Sequence, residues 1–383
     1  MSPHPTILIL AIILVSSIVV SFTPPDSRVI RLGALLFISI CTWQCITTAT
    51  EIMIRSSWAS LVGGYSVTLF FHYIDIALLG QWSFHRQPFL EKFALGLSLT
   101  INARFIGTSQ QVKGVTLPGT TLSRRCFLWR TARLIFLSYV TLDIMDSSAD
   151  PDMIRKYLSP LNVPLFRRLY YDSISGEEIA MRLLSVLGAG IGLVAVQGGC
   201  HQIFAFLSVL LHLSEPSDWP PLYGSISDAY TLRGFWSLSW HQLNRHKLDS
   251  ISRYVIHDIF NIPRGKRTAF IGLAKIALAF ATSGLMHLLI DMSTGLSVHT
   301  SGAVSFFTIQ ILGIIAENTI LMLCHQAISC NRLPSTMQKC IGYIWVFMFL
   351  VWTVPAYMYP IMSLSASVAE NAVVPLSVVG LLR

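Results

Sequence analysis

Eight long stretches of this 383-residue chain are almost free of charge, near residues 6–22, 29–49, 58–79, 179–213, 268–290, 303–324, 341–362 and 368–382. About 20 mainly apolar residues are needed to cross a bilayer as a helix. The stretch at 179–213 is long enough for one long span or two short ones. No alternating ten-residue pattern of a transmembrane barrel is present, so the backbone groups must be satisfied within helices. Only 12% of the residues are charged and 53% are hydrophobic, against about 25% charged in a soluble protein. The expected fold is all-α, a polytopic transmembrane helical protein of about 8–9 spans. Residues 1–383 read as a single membrane-embedded domain, since no repeat, linker or low-complexity tract divides them.

The first apolar stretch is preceded by Met1 to Thr6, without Lys or Arg, and no small-residue cleavage site follows before Pro24-Pro25. It reads as a retained first helix rather than a secretory signal. The seven cysteines show no Cys-x-x-Cys and no ligand spacing, so neither a metal site nor a disulfide framework is expected. Cys41 and Cys45 share a helix face inside an apolar span and read as packing residues.

Charge suggests orientation. Residues 80–133 hold Arg86, Lys92, Arg104, Lys113, Arg124, Arg125, Arg130 and Arg133 against the single acid Glu91, which places this segment in the cytosol by the positive-inside rule. Residues 214–267 end in Arg253, Arg264, Lys266 and Arg267 and go to the same side. Topology and lipid contact account for most of this charge, with a minority of the cations left to hold an anionic cosubstrate. No nucleic-acid partner and no obligate protein partner are indicated. The twelve apolar residues 134–145, ending near Asp143, are too few to cross alone.

An ionisable residue at membrane depth is costly unless it faces a cavity or a partner, which singles out His287 in the apolar run 280–289. Asp291 lies four residues on, on the same helix face, where a carboxylate would fix the imidazole tautomer. A positioned histidine of this kind serves as a general base; a packing histidine bonded to a neighbouring helix is the alternative. Upstream, Phe235-Trp236-Ser237-Leu238-Ser239-Trp240-His241-Gln242 puts Trp236 and Trp240 on one helical face, with His241 and Arg245 one turn apart. The rings read either as interface anchors or as the wall of a reaction chamber in which His241 or Gln242 donates to a developing oxyanion.

The order Arg233-x-Phe-Trp-x-x-x-Trp-His-Gln242, followed by Ser283-Gly-Leu-x-His287, resembles the wax-synthase-like branch of the membrane-bound O-acyltransferases, as found in fungi. Residues 102–107 and 112–118 look like that branch's Arg-Gly-Ile-Gly-Trp and Val-Lys-Asn-Val-Pro segments, and 124–143 look like its basic-then-apolar stretch ending in aspartate. The resemblance runs loosely from residue 84 to the C-terminus. By it, His287 matches the catalytic histidine and His241 the second site position. The chain departs from the pattern at Phe105, in place of a glycine, and at Thr108, in place of the tryptophan, which bears on the substrate rather than the reaction. The resemblance implies transfer of an acyl group from a coenzyme A thioester, most readily acetyl-CoA, to a lipophilic alcohol. That alcohol is a terpenoid or meroterpenoid of fungal secondary metabolism or, alternatively, a long-chain alcohol giving a wax ester. Trp236, Trp240 and Arg245 are the expected contacts to the cosubstrate, with no bound cofactor and no metal. The endoplasmic reticulum is the default membrane.

Two other readings compete. Asp143-x-x-Asp146-x-x-x-Asp150 has the carboxylate spacing of intramembrane prenyltransferases, which hold magnesium and a diphosphate, but the second aspartate-rich motif is missing. A solute or proton-coupled transporter would use His72, Asp75, His287 and Glu317 as an ion path, yet transporters of this size commonly show a duplicated half. Helix–helix hydrogen bonding is the simpler reading of His72 with Asp75 and of Glu317 with Asn318.

Overall fold

A computed structural model of the protein describes residues 3–53, 55–115, 122–266, 268–326, 334–366 and 372–381. Every regular element among them is helical. In chain order these are α1 (Pro5–Phe22), α2 (Arg28–Met53), α3 (Ser56–Tyr73), α4 (Phe89–Ile101), α5 (Arg124–Ser148), α6 (Pro151–Tyr157), α7 (Leu165–Tyr171), α8 (Gly176–Leu210), α9 (Leu232–Gly234), α10 (Arg245–Tyr254), α11 (Ala269–Ser293), α12 (Ala303–Gln326), α13 (Ser335–Ser365) and α14 (Val378–Leu381). Three wider π-turns extend α3, α9 and α10, at Ile74–Leu79, Phe235–Ser239 and Val255–Ile259. The ends are signalled locally. Pro5 occupies the first turn of α1, and the hydroxyls of Ser175 and Thr268 accept from Glu178 and Ile271 N–H to cap α8 and α11.

Among the described residues, seven helices are long and apolar enough to cross a membrane: α1, α2, α3 with its π-turn, α8, α11, α12 and α13. They correspond to the first seven apolar stretches of the sequence, with 179–213 resolved as one continuous helix. The eighth stretch differs. Residues 372–377 are irregular and Val378–Leu381 is a single turn, because Pro375 has no backbone N–H to give to a helical ladder and two carboxylates hold the neighbouring amides. Asp146 Oδ2 accepts from Val373 and Val374 N–H at 2.7 and 3.3 Å, and Asp143 Oδ2 from Val378 and Val379 N–H at 2.8 and 3.0 Å. These bonds to its own backbone account for the aspartates that resemble a magnesium motif. Residues 134–145 belong to the 25-residue α5, about 37 Å long and charged at both ends.

The chain forms two compact units, each assembled from two separated stretches, residues 1–112 with 243–311 and residues 113–242 with 312–383. In the first unit α1 to α4 pack around Ile12, Ile38, Cys41, Cys45 and Tyr73, which bears out the packing role of the two cysteines. Buried Arg31 of α2 donates to the carbonyls of Ala77 and Trp82 at 2.5 and 2.9 Å, satisfying acceptors at the π-turn where the α-helical ladder ends. In the second unit α5 runs along α8, with Ser138 and Met145 against Gly199 and Gly192, the close approach that small residues permit between membrane helices.

Candidate active site

His287 lies in the middle of α11, half-buried, in the first unit. Its Nδ1 is 2.7 Å from the carbonyl oxygen of Ser283, one turn back. A carbonyl only accepts, so Nδ1 carries the hydrogen and the basic lone pair sits on Nε2. The sequence assigned this tautomer-fixing role to Asp291; in the structure Asp291 is buried and accepts from the hydroxyl of Ser301. The imidazole lies against Phe307 of α12, ring centroids 4.4 Å apart. Gly284 eases that approach: a Cβ there would stand 3.3 Å from Val304 Cα, tighter than most such contacts, and 3.4 Å from Phe307 Cβ. Within Ser283-Gly284-Leu285-Met286-His287, the serine carbonyl orients the imidazole, the glycine lies against α12, and Met286 is buried in the core.

Arg245 opens α10 in the same unit, and burial pushes its pKa down. The next residue was not singled out in the sequence. His246 Nδ1 donates to Asp75 Oδ2 at 2.6 Å, and Asp75 sits in the π-turn after α3, 1% exposed. His246 Nε2 has no hydrogen-bond partner among the described residues. Phe105 covers this pair, its ring 4.0 Å from that of His246 and 5.5 Å from that of His72. It is fully buried with a left-handed φ of +55°, rare for a bulky residue. Asn102 holds the loop in place by accepting from Ile106 N–H and donating to Ile106 C=O, both at 2.9 Å. Lys247 is also fully buried, donating to Leu243 C=O at 2.8 Å and Asn244 Oδ1 at 3.2 Å. Burial pushes its pKa down to about 8, an effect that Asp75 partly offsets. A spacing of i, i+4, i+7 and i+11 in His246, Ser250, Arg253 and His257 is the sequence signal for this face of α10. Together these residues line a cavity of about 460 Å³ within the first unit.

Trp236, Trp240 and His241 belong to the second unit. The helix expected through them is broken. α9 is a single turn, Phe235–Ser239 is a π-turn closed by Trp240 N–H to Phe235 C=O at 2.8 Å, and Trp240 is extended. His241 and Arg245 are therefore not successive turns of one helix. Gly234 is required at the start, since a Cβ there would lie 2.1 Å from the Asp228 carbonyl oxygen. The rings still cluster: Trp236 and Trp240 stand 5.9 Å apart, and Tyr223 meets Trp240 at 5.5 Å and His241 at 6.0 Å. Tyr223 went unnoticed in the sequence. Its hydroxyl donates to Gln197 Oε1 at 2.8 Å, and burial pushes its pKa up.

Polar residues considered for an ion path have structural partners. His72 Nε2 donates to Leu99 C=O of α4 at 2.9 Å, and Asp75 pairs with His246. Glu317 of α12 accepts from Leu232 N–H at 2.7 Å and Trp345 Nε1 at 3.0 Å, both within the second unit, fastening the start of the aromatic segment. No group of three or more His, Cys, Asp or Glu able to hold a metal occurs among the described residues.

The sequence profile described as "Membrane bound O-acyl transferase family" matches residues 219–309, the interval containing the aromatic segment, α10 and His287. Acetyltransferase ataH of Aspergillus terreus is 32% identical over 280 residues, 72% of this chain and 91% of that protein. Acetyltransferase aurG of Calcarisporium arbuscula is 28% identical over 378 residues, 90% of each chain. Acetyltransferase TRI7 of Fusarium sporotrichioides is 36% identical over 166 residues, 42% of this chain and 37% of that one. The chain belongs to the membrane-bound O-acyltransferase family. It is a multi-pass membrane enzyme of the acyltransferase class.

Proposed function

We propose that this enzyme transfers the acetyl group of acetyl-CoA to a hydroxyl of a lipophilic terpenoid or meroterpenoid in fungal secondary metabolism, in the endoplasmic reticulum membrane. The single observation that carries the reading is the Ser283 carbonyl holding His287 as the Nδ1–H tautomer, which leaves Nε2 as a base inside an apolar helix. The acetyltransferase names of the relatives support acetyl as the group transferred. His287 Nε2 removes the hydroxyl proton while the alcohol oxygen forms its bond to the thioester carbonyl carbon. The tetrahedral oxyanion collapses with cleavage of the C–S bond, and the proton passes from Nε2 to the leaving thiolate. By resemblance, His241 holds the second site position; His241 or its neighbour Gln242 is the donor assigned to the oxyanion, and Trp236, Trp240 and Arg245 are the side chains assigned to the cosubstrate. Exclusion of water favours transfer over hydrolysis.

Yeast microsomes carrying the wild type or His287→Ala, given acetyl-CoA or palmitoyl-CoA with a panel of terpenoid and long-chain alcohols, test this reading by mass spectrometry of the esters. Acetate esters of terpenoids made by the wild type and lost in an equally expressed variant are expected. Palmitoyl transfer to long-chain alcohols would make the protein a wax ester synthase instead. Unchanged ester in the variant would remove His287 as the base.

A further inference from the structure

The cavity in the first unit has a composition unlike an apolar substrate slot. Lys275, Arg253, Arg264, His257 and His246 line it, and Asp258 is the one carboxylate among its described lining. Lys275 lies on the second turn of α11, inside a span. A charged side chain is tolerated there when it faces a polar cavity rather than lipid. Arg264 pairs with both oxygens of Asp258 at 2.7 and 3.0 Å, and Arg253 with Asp249 at 3.4 Å. Both pairs are exposed and worth little in place, so a phosphate offering bidentate, charge-assisted bonds competes for the same guanidinium groups. Two of the π-turns, Ile74–Leu79 and Val255–Ile259, meet at this cavity, and such turns recur at functional sites.

The cavity also has a fixed relation to the base. Lys275 and His287 are twelve residues apart on the continuous α11, about 18 Å along its axis. A coenzyme A thioester has the same division, with anionic phosphates at one end of an extended pantetheine arm and the reacting carbonyl at the other. We infer that this cavity binds the phosphorylated nucleotide end of the acyl donor, with Lys275, Arg253 and Arg264 as its phosphate contacts. The inference rests on the acetyl-CoA reading of the function and adds residues to it that lie outside the aromatic segment.

The test uses full-length protein in nanodiscs of phosphatidylcholine, alone or with added phosphatidylserine. Ester formation is compared for acetyl-CoA and for acetyl-pantetheine, which carries the same thioester without phosphates. Lys275→Gln and Arg264→Gln are expected to raise KM for acetyl-CoA about tenfold each and to shrink the preference for acetyl-CoA over acetyl-pantetheine by the same factor. Lys275→Arg is expected to restore most of that preference. A ratio of two donors on the same sample does not move with the fraction of protein folded. A wild-type preference left intact by the Gln variants would overturn the assignment while leaving the donor reading standing. Variants that change only the response to phosphatidylserine, with KM for acetyl-CoA unchanged, would assign the cavity to a lipid headgroup and overturn it as well. Folded wild type that turns over neither donor would overturn the acetyl-CoA reading and this inference together.

Discussion

His287 donates through Nδ1 to the carbonyl oxygen of Ser283 at 2.7 Å, so the group that orients the proposed base is main chain. The serine hydroxyl is not the partner in that bond. Ser283→Ala is expected to keep ester formation within about threefold of the wild type, whereas loss of a positioned base costs roughly 10²- to 10⁴-fold in His287→Ala. Initial rates of ester formation at matched expression check both. A collapse of activity in folded Ser283→Ala would assign the hydroxyl a role of its own.

Buried Glu317 places one oxygen between Leu232 N–H and Trp345 Nε1–H. Glu317→Leu would leave two donors unsatisfied at about 1–3 kcal/mol each and is expected to lower the melting temperature in detergent by several degrees. Glu317→Gln keeps a carbonyl acceptor and is expected to lose less than half as much. Equal losses for the two would mean that the carboxylate charge matters more than its acceptor geometry.

Seven of the eight apolar stretches were legible because hydrophobic length is a one-dimensional property of a membrane helix, whereas the bond from His287 to the Ser283 carbonyl was not, because every residue offers such a carbonyl and the sequence points to the Asp291 side chain instead. The aromatic segment was misread as helix because a π-turn keeps the residue types of an α-helix while changing the hydrogen-bond partner, and nothing in Phe235 to Ser239 marks the difference. Asp75 and His246 are 171 positions apart. The sequence offered each as an isolated polar residue, and only the packing of α10 beside the π-turn after α3 joins them. The eighth stretch failed for a similar reason: the carboxylates that hold its amides come from α5, more than two hundred residues earlier.

Lys247 gives a pH dependence of known sign. Its folded pKa is pushed down to about 8 from an ordinary 10.5. Below pH 8 it is charged in both states and the full cost of burying the charge, on the order of 3 kcal/mol, opposes folding. Between about pH 8 and 10.5 the unfolded chain holds a proton that the folded protein does not, so stability from this residue rises with pH. Lys247→Met is therefore expected to melt higher than the wild type at pH 7, with the gap closing as pH rises towards 9.5. A gap independent of pH would show that the lysine is not the titrating group.

Phe105 sets backbone strain against burial. A non-glycine residue in the left-handed region costs about 1–3 kcal/mol when the surroundings impose it, and Asn102 imposes it here through both bonds to Ile106. Removing a buried phenylalanine ring costs about 3–5 kcal/mol, and this ring packs on His246, His72 and Trp82. Burial is the larger quantity, so both Phe105→Ala and Phe105→Gly are expected to destabilise. Alanine loses the ring and keeps the strain, whereas glycine loses the ring and releases it. Glycine should therefore melt above alanine, by the equivalent of about 1 kcal/mol, the reverse of their order in a helix interior. Melting curves of the two variants in one detergent decide it: alanine above glycine would mean that residues 102–112 relax out of the left-handed turn once the ring is gone, and that the ring itself enforces the conformation.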